Sequence, residues 1–241
     1  PWEMPEVDDR EFFSLRSSEI ANEESAKKRV KMIASLKMND PSIHDQWLRF
    51  IRSYEGTRLF ISSSAKYPCG GTGRLNLFRI FLEVGWLQTG KGGRLGMVIP
   101  SGLTTNAYER PLWSSLVKSS AVASVFDFEN RGALFPNVDS RAKFTLITLS
   151  RDSSLIRSAC WIINPSELSL PDRVTIIRPS DLARWSPEEL SLPQFRSNSD
   201  LSLLQYLIGK HESFGKSNDW KHTPRLMFSS SDEAFAPVSN E

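Results

Sequence analysis

The segment Cys-Gly-Gly-Thr-Gly-Arg at 69–74 most invites a chemical reading, because closely spaced glycines let backbone N–H groups converge on a phosphate. It lacks the Lys-Ser/Thr ending of a P-loop and follows a helical pattern rather than a strand, which counts against that use. The three histidines, His44, His211 and His222, are scattered, with neither a Gly-x-Ser-x-Gly elbow nor a partnered acid to make a hydrolase triad. Cys69 and Cys160 form no Cys-x-x-Cys pair, so no metal site is expected and both cysteines read as packing residues. Neither metal nor nucleophile chemistry is indicated by these residues.

The background against which these stand is ordinary. The 241 residues are 39% hydrophobic and 24% charged, a globular composition long enough for a real core. No apolar run is long enough to cross a bilayer and no signal segment leads the chain, so no membrane partner and a cytoplasmic setting are expected. Thirty Lys and Arg against 28 Asp and Glu give a net charge of +2, too near balance to announce a nucleic-acid binder. The basic run Lys-Lys-Arg-Val-Lys at 27–31 reads as a solvated helix face.

Two textures divide the elements. From about 8 to 66 the pattern is helical: residues 19–36 read as one polar helix with a thin apolar stripe. A second helix is capped by Asn39 or Asp40 before Pro41, with Trp47, Phe50, Ile51 and Tyr54 on one face. After the glycine loop, Leu-Asn-Leu-Phe-Arg-Ile-Phe-Leu-Glu-Val-Gly-Trp-Leu reads as a core helix. Arg-Leu-Gly-Met-Val-Ile-Pro (94–100) is the continuous apolar run of a central parallel strand covered on both faces. A helix over 108–120, a strand at 122–128 and a strand at 143–150 follow, the last two joined by a loop too short for a helix and hence antiparallel. Alternating helices and strands predict an α/β fold. Beyond residue 150, Ala-Cys-Trp-Ile-Ile and Arg-Val-Thr-Ile-Ile are further strand candidates, 186–195 is a proline-punctuated connector, and 199–210 is a capped helix.

Four pieces in order then acquire a meaning together: Pro-Trp-Glu at the head, Gly-Arg-Leu-Asn-Leu-Phe-Arg-Ile-Phe-Leu-Glu at 73–83, Gly-Gly-Arg-Leu-Gly-Met-Val-Ile-Pro-Ser-Gly-Leu at 92–103, and the stretch 127–149. They resemble the second half of class I DNA adenine-N6 methyltransferases, of the type IIG restriction-modification and BREX phage-defence kind. The resemblance covers residues 66–150 best. In that family the fourth strand ends in Asn-Pro-Pro followed by Tyr, Phe or Trp. Pro1 and Trp2 match the last two residues of such a motif, which implies a chain cut inside it.

The resemblance implies the C-terminal half of a Rossmann-like class I methyltransferase sheet over 1–165, with a helical insertion at about 8–66. Residues 166–241 are then a connector and the start of a target-recognition region. It implies methyl transfer from S-adenosylmethionine to a flipped-out adenine in double-stranded DNA, in concert with other restriction or phage-defence subunits. Pro1 and Trp2 become catalytic-motif residues, and Trp2 and Phe135 the aromatics against the flipped base. Phe144 keeps strand alternation with Leu146 and reads as core, while Asn76 matches a family position at the start of the helix after the glycine loop, with a plain helix cap as its alternative reading. The family's cofactor-binding loops would precede residue 1, leaving Pro100 and Ser101 as the only candidates here for lining the cofactor pocket, and the chain by itself is expected to be inactive. The rival readings are an RNA or protein-glutamine methyltransferase and a non-catalytic DNA-binding or interaction subunit.

Overall fold

The structure, a computed structural model, describes residues 6–73 and 75–211. Pro1 and Trp2 lie outside the described residues. The chain divides into two compact units, residues 1–201 and 202–241.

The first unit opens with four helices: α1 (Asp9–Phe13), α2 (Ser18–Asn22), α3 (Ala26–Asn39) and α4 (Pro41–Ser63). They gather round an aromatic core of Phe12, Phe13 and Trp47 with Ile20 and Ile33, against which Phe50 and Ile51 pack. Asp40 is the cap of α4, its carboxylate accepting the Ile43 N–H at 3.1 Å, and Pro41 occupies the first turn where no N–H is needed. The single helix expected over 19–36 is instead two. Glu23 leaves the helical region, its carboxylate accepts the Ser25 N–H at 2.9 Å, and Ser25 recaps the chain for α3. Arg29 fastens this break by donating to the Glu23 and Glu24 carbonyls at 2.9 and 3.2 Å and to Asp9 at 3.0 Å. One cation of the basic run is thus structural, while Lys27 and Lys28 are exposed.

After the glycine loop come α5 (Leu77–Gln88), β1 (Arg94–Pro100), α6 (Arg110–Lys118), β2 (Val122–Glu129), β3 (Lys143–Ser150), β4 (Ile156–Ile162), β5 (Thr175–Ile177) and α7 (Pro179–Trp185). The five strands form one sheet in the order β1-β3-β2-β4-β5. The fold is α/β. Strand β3 returns antiparallel between β1 and β2, as its short connection requires, so β1 and β2 run parallel to each other. Strand β4 is parallel to β2 and β5 antiparallel to β4, which makes both late strand candidates real. The carboxyl ends of β1, β2 and β4 therefore lie along one edge, together with the start of β3.

Strand β1 departs from expectation. It is an edge strand of the described sheet, paired antiparallel with β3, rather than a central parallel strand. With one neighbour it leaves Arg94, Gly96 and Val98 exposed and buries Ile99 completely. Helix α5 buries Phe78, Ile80, Leu82 and Trp86 but leaves Phe81 and Leu87 exposed, so its covering is also one-sided.

The connector at 186–195 carries no regular structure yet is fixed to the body. Leu190, Leu192 and Phe195 are buried, the Trp113 indole N–H donates to the Leu190 carbonyl at 2.7 Å, and Arg110 pairs with Glu189. Helix α8 (Asn198–Lys210) begins in the first unit, and its residues from Ser202 on belong to the second.

Candidate functional site at the carboxyl edge of the sheet

Strand β2 alternates so that Phe126 and Phe128 face one side with Phe144, Leu146, Ala159 and Ile162, while Asp127 faces the other. Phe144 is a core residue, 5% exposed, its ring stacked parallel to Phe128 with centroids 5.2 Å apart. Phe135 stands edge-on against Phe144 at 5.0 Å and is 42% exposed. Three rings thus form a tier from the loop tip into the sheet. Phe128 lines a small pocket of about 110 Å³, shared with Ser101, Asp127, Glu129, Lys143 and Trp161.

What holds Phe135 there is Asn130, which nothing in the sequence singles out. Its side chain is almost wholly buried at the end of β2 and ties the loop back on itself. The amide Nδ2 donates to the carbonyls of Phe135, Val138 and Asp139 at 3.0, 2.9 and 3.3 Å, and Oδ1 accepts the Phe135 N–H at 3.0 Å. This side chain adds to the loop's own backbone bonds, among them the Asn130 N–H to the Ala142 carbonyl at 2.9 Å and the Val138 N–H to the Phe135 carbonyl at 3.1 Å. Ala133, at φ 50°, takes the left-handed turn that the short loop needs.

Asp127 is a half-buried acid of the site. Thr145, its partner across the β2–β3 ladder, donates a hydroxyl to Oδ1, and the Cys160 thiol lies 3.8 Å from Oδ2. Burial raises the Asp127 pKa above the ordinary aspartate value, a shift that the Thr145 hydrogen bond opposes most strongly. Burial and the neighbouring carboxylate push the Cys160 thiol up to about 12, so it is no nucleophile. Alternation placed an acid at an inward strand position, and that signal was available in Val-Phe-Asp-Phe-Glu.

Glu129, at the end of β2, pairs with Lys143 at 3.1 Å and Arg131 at 2.9 Å. Beyond it opens a cavity of about 570 Å³ lined by Glu129, Arg131, Trp161, Ile163, Arg173 and Arg196. Trp161 reaches it through a β-bulge: the β2–β4 register shifts between Phe126 and Phe128, and Trp161 takes φ 54°. Bulges re-aim side chains in this way beside functional sites. No one-dimensional pattern announces it.

Of the candidates read from the sequence, Pro100 ends β1 and Ser101 is exposed and lines the small pocket, on the same edge as the Phe135 tier. That pocket is below the roughly 300–1,000 Å³ of a small-molecule site, and the larger cavity is cationic, which disfavours a sulfonium. Neither of these two cavities by itself matches S-adenosylmethionine. Asn76 caps α5, its side chain accepting the Phe78 N–H at 3.2 Å. In the glycine loop two of the N–H groups are already engaged: the Glu83 carboxylate accepts those of Cys69 and Gly70 at 3.1 and 2.7 Å. A Cβ at Gly71 would meet the Ile61 and Tyr67 carbonyls at 2.7 Å, so that glycine serves close packing.

No protein-family model matches the chain, and no curated protein matches it. Among solved structures, the methyltransferase subunit of a type I restriction-modification system from Streptococcus thermophilus is similar over 56% of this chain, at 12% identity and a TM-score of 0.42. The matched region amounts to 34% of that subunit's length, so the chain spans about a third of it.

Proposed function

We propose that the chain is the C-terminal part of the catalytic domain of a site-specific DNA adenine-N6 methyltransferase of a restriction-modification or phage-defence system. In this reading residues 1–165 complete the catalytic sheet and 166–241 lead towards target recognition. The whole protein, with S-adenosylmethionine held by residues outside this chain, methylates an adenine taken out of the duplex.

The observation that carries the reading is the Phe135 tier. A half-exposed ring, braced from below by Phe144 and fixed by Asn130, stands at the carboxyl edge where open α/β sheets take their ligands. A flipped base costs a few kcal/mol to extrude, and stacking on an aromatic face returns about 1–3 kcal/mol. Phe135 supplies one such face and Trp2 is assigned the other. The apolar run of β1 at an edge suits a strand with a further neighbour, as a larger sheet would provide.

A non-catalytic nucleic-acid-binding subunit is the second reading, favoured by the cationic cavity beside the site. Methyl transfer separates the two. The protein carrying its upstream catalytic half is incubated with S-adenosylmethionine and adenine-containing duplex DNA, and the nucleosides are analysed by mass spectrometry. N6-methyladenine supports the enzyme; DNA binding without any methylated base supports the binding subunit.

A further inference from the structure

The geometry points to the cavity between β2, β4 and the connector as a binding site for the phosphodiester backbone of the nucleic-acid strand, clamped by Arg131 and Arg196. It extends the reading above, on which it rests only for the identity of the neighbouring base.

The cations of this cavity differ in what they are free to do. Arg173 is committed: it pairs with Glu167 at 3.1 Å and donates to the carbonyls of Arg196 and Trp161 at 2.9 and 3.0 Å, bracing the cavity wall. Glu129 is divided between Lys143 and Arg131. Arg131 is 69% exposed on its side chain and meets that carboxylate through its Nε. The Arg196 guanidinium lies 5.3 Å over the Trp161 ring and has no carboxylate partner among the described residues. Cation–π contact holds it in place and leaves its N–H groups available. Three lining cations (Arg131, Arg173 and Arg196) face one lining carboxylate (Glu129), an excess of two positive charges around one concavity.

The position narrows the ligand further. The cavity shares Glu129 and Trp161 with the small pocket that Phe128 and Asp127 line. An anion seated between Arg131 and Arg196 is therefore next to the aromatic tier, where the phosphates flanking a flipped nucleotide must pass. Arginine forks match phosphate oxygens, and each such contact releases counterions. Lys27 and Lys28, by contrast, are exposed on α3 and line neither of the two cavities described above.

The test is fluorescence anisotropy of the 241-residue chain with a fluorescein-labelled single-stranded oligonucleotide and the corresponding duplex, over a salt series. For Arg131→Gln/Arg196→Gln the slope of log affinity against log salt should fall by about 1.4–1.8, given roughly 0.7–0.9 per phosphate contact. Arg131→Lys/Arg196→Lys should restore most of it, and Lys27→Gln/Lys28→Gln should leave it unchanged. The proposal is overturned by an unchanged slope in the glutamine pair, by an equal effect of the helix lysines, or by failure of the lysine pair to recover. Inorganic tripolyphosphate binding as tightly as the oligonucleotide would also overturn it. A salt effect without methylation by the longer protein removes the enzyme reading and keeps this site; methylation with an unchanged slope does the reverse.

Discussion

Two loops of this molecule exchange the roles their sequences suggest. The glycine loop at 69–73 has the composition of a phosphate cradle, yet the N–H groups of Cys69 and Gly70 are turned inward onto Glu83, and Gly70 and Gly71 allow helix and loop backbones to touch. The loop from Asn130 to Ala142 has no motif of that kind, yet one buried amide, together with the loop's own backbone bonds, ties it down and leaves Phe135 projecting at the sheet edge. A loop can serve a ligand only with groups that the fold has not already consumed. Counting where each N–H and carbonyl goes distinguishes the two loops; counting glycines does not.

Removing the Asn130 amide should have the largest effect. Asn130→Ala leaves three carbonyls and one N–H without their shared partner, a loss of about 2–4 kcal/mol if each bond contributes about 1 kcal/mol. Thermal unfolding should show a Tm lower by roughly 4–16 °C, given about 2–4 °C per kcal/mol for a domain of this size. Methyl transfer by the longer protein should fall with it. An unshifted Tm would mean that the loop is held by something other than this side chain.

Phe135→Ala sharpens the contrast by separating activity from stability. Methyl transfer should drop about 10- to 100-fold, the equivalent of losing about 1–3 kcal/mol of stacking. The Tm should move little, because the ring is 42% exposed and its edge contact with Phe144 contributes only about 0.5–1.5 kcal/mol. A large Tm loss with an equal loss of activity would reassign Phe135 to the core.

Glu83→Gln probes the other loop. Replacing the carboxylate that accepts two N–H groups should cost about 1–2 kcal/mol, seen as a modest Tm shift, with the oligonucleotide salt slope unaltered. A changed slope would show that the glycine loop contacts the nucleic acid after all.

The smallest effect concerns Asp127. Its pKa is raised in the folded state, chiefly by burial, so the native protein holds this proton more tightly than the unfolded chain does. The resulting stabilisation is complete below the ordinary aspartate pKa and is lost as pH rises through the folded value. Asp127→Asn, which keeps an acceptor for Thr145, should flatten that limb of the stability–pH curve and leave the protein no less stable at pH 7. An unchanged curve would mean that Asp127 is hydrated in solution.

The parts legible in sequence were those governed by period and by local caps. The alternation in Val122–Glu129 and Lys143–Ser150 marked β2 and β3, the shortness of 130–142 implied their antiparallel pairing, and Asp40-Pro41 marked the start of α4. Non-local relations were not legible. That β1 lies at an edge depends on which strands neighbour it, and the same apolar run suits one neighbour or two. The break between α2 and α3 hinges on Glu23 accepting the Ser25 N–H and on Arg29 reaching back to two carbonyls, which helical periodicity does not register. At the site, Phe135 was marked by resemblance. Asn130 was not, because a buried asparagine reads like any polar loop residue until its four bonds are seen, and Trp161 was hidden by the bulge that re-aims it.

The contrast between the two loops turns on whether Phe135 meets a base. A duplex carrying a fluorescent adenine analogue at the target position, titrated with the longer protein, reads this directly. With the wild type the analogue should brighten on binding as it leaves the stack. Phe135→Ala and Trp2→Ala together should shift that signal at unchanged cofactor affinity. If both alanine variants instead unfold well below the wild type and lose cofactor binding in step with activity, these rings are core residues and the sheet edge is not a base site.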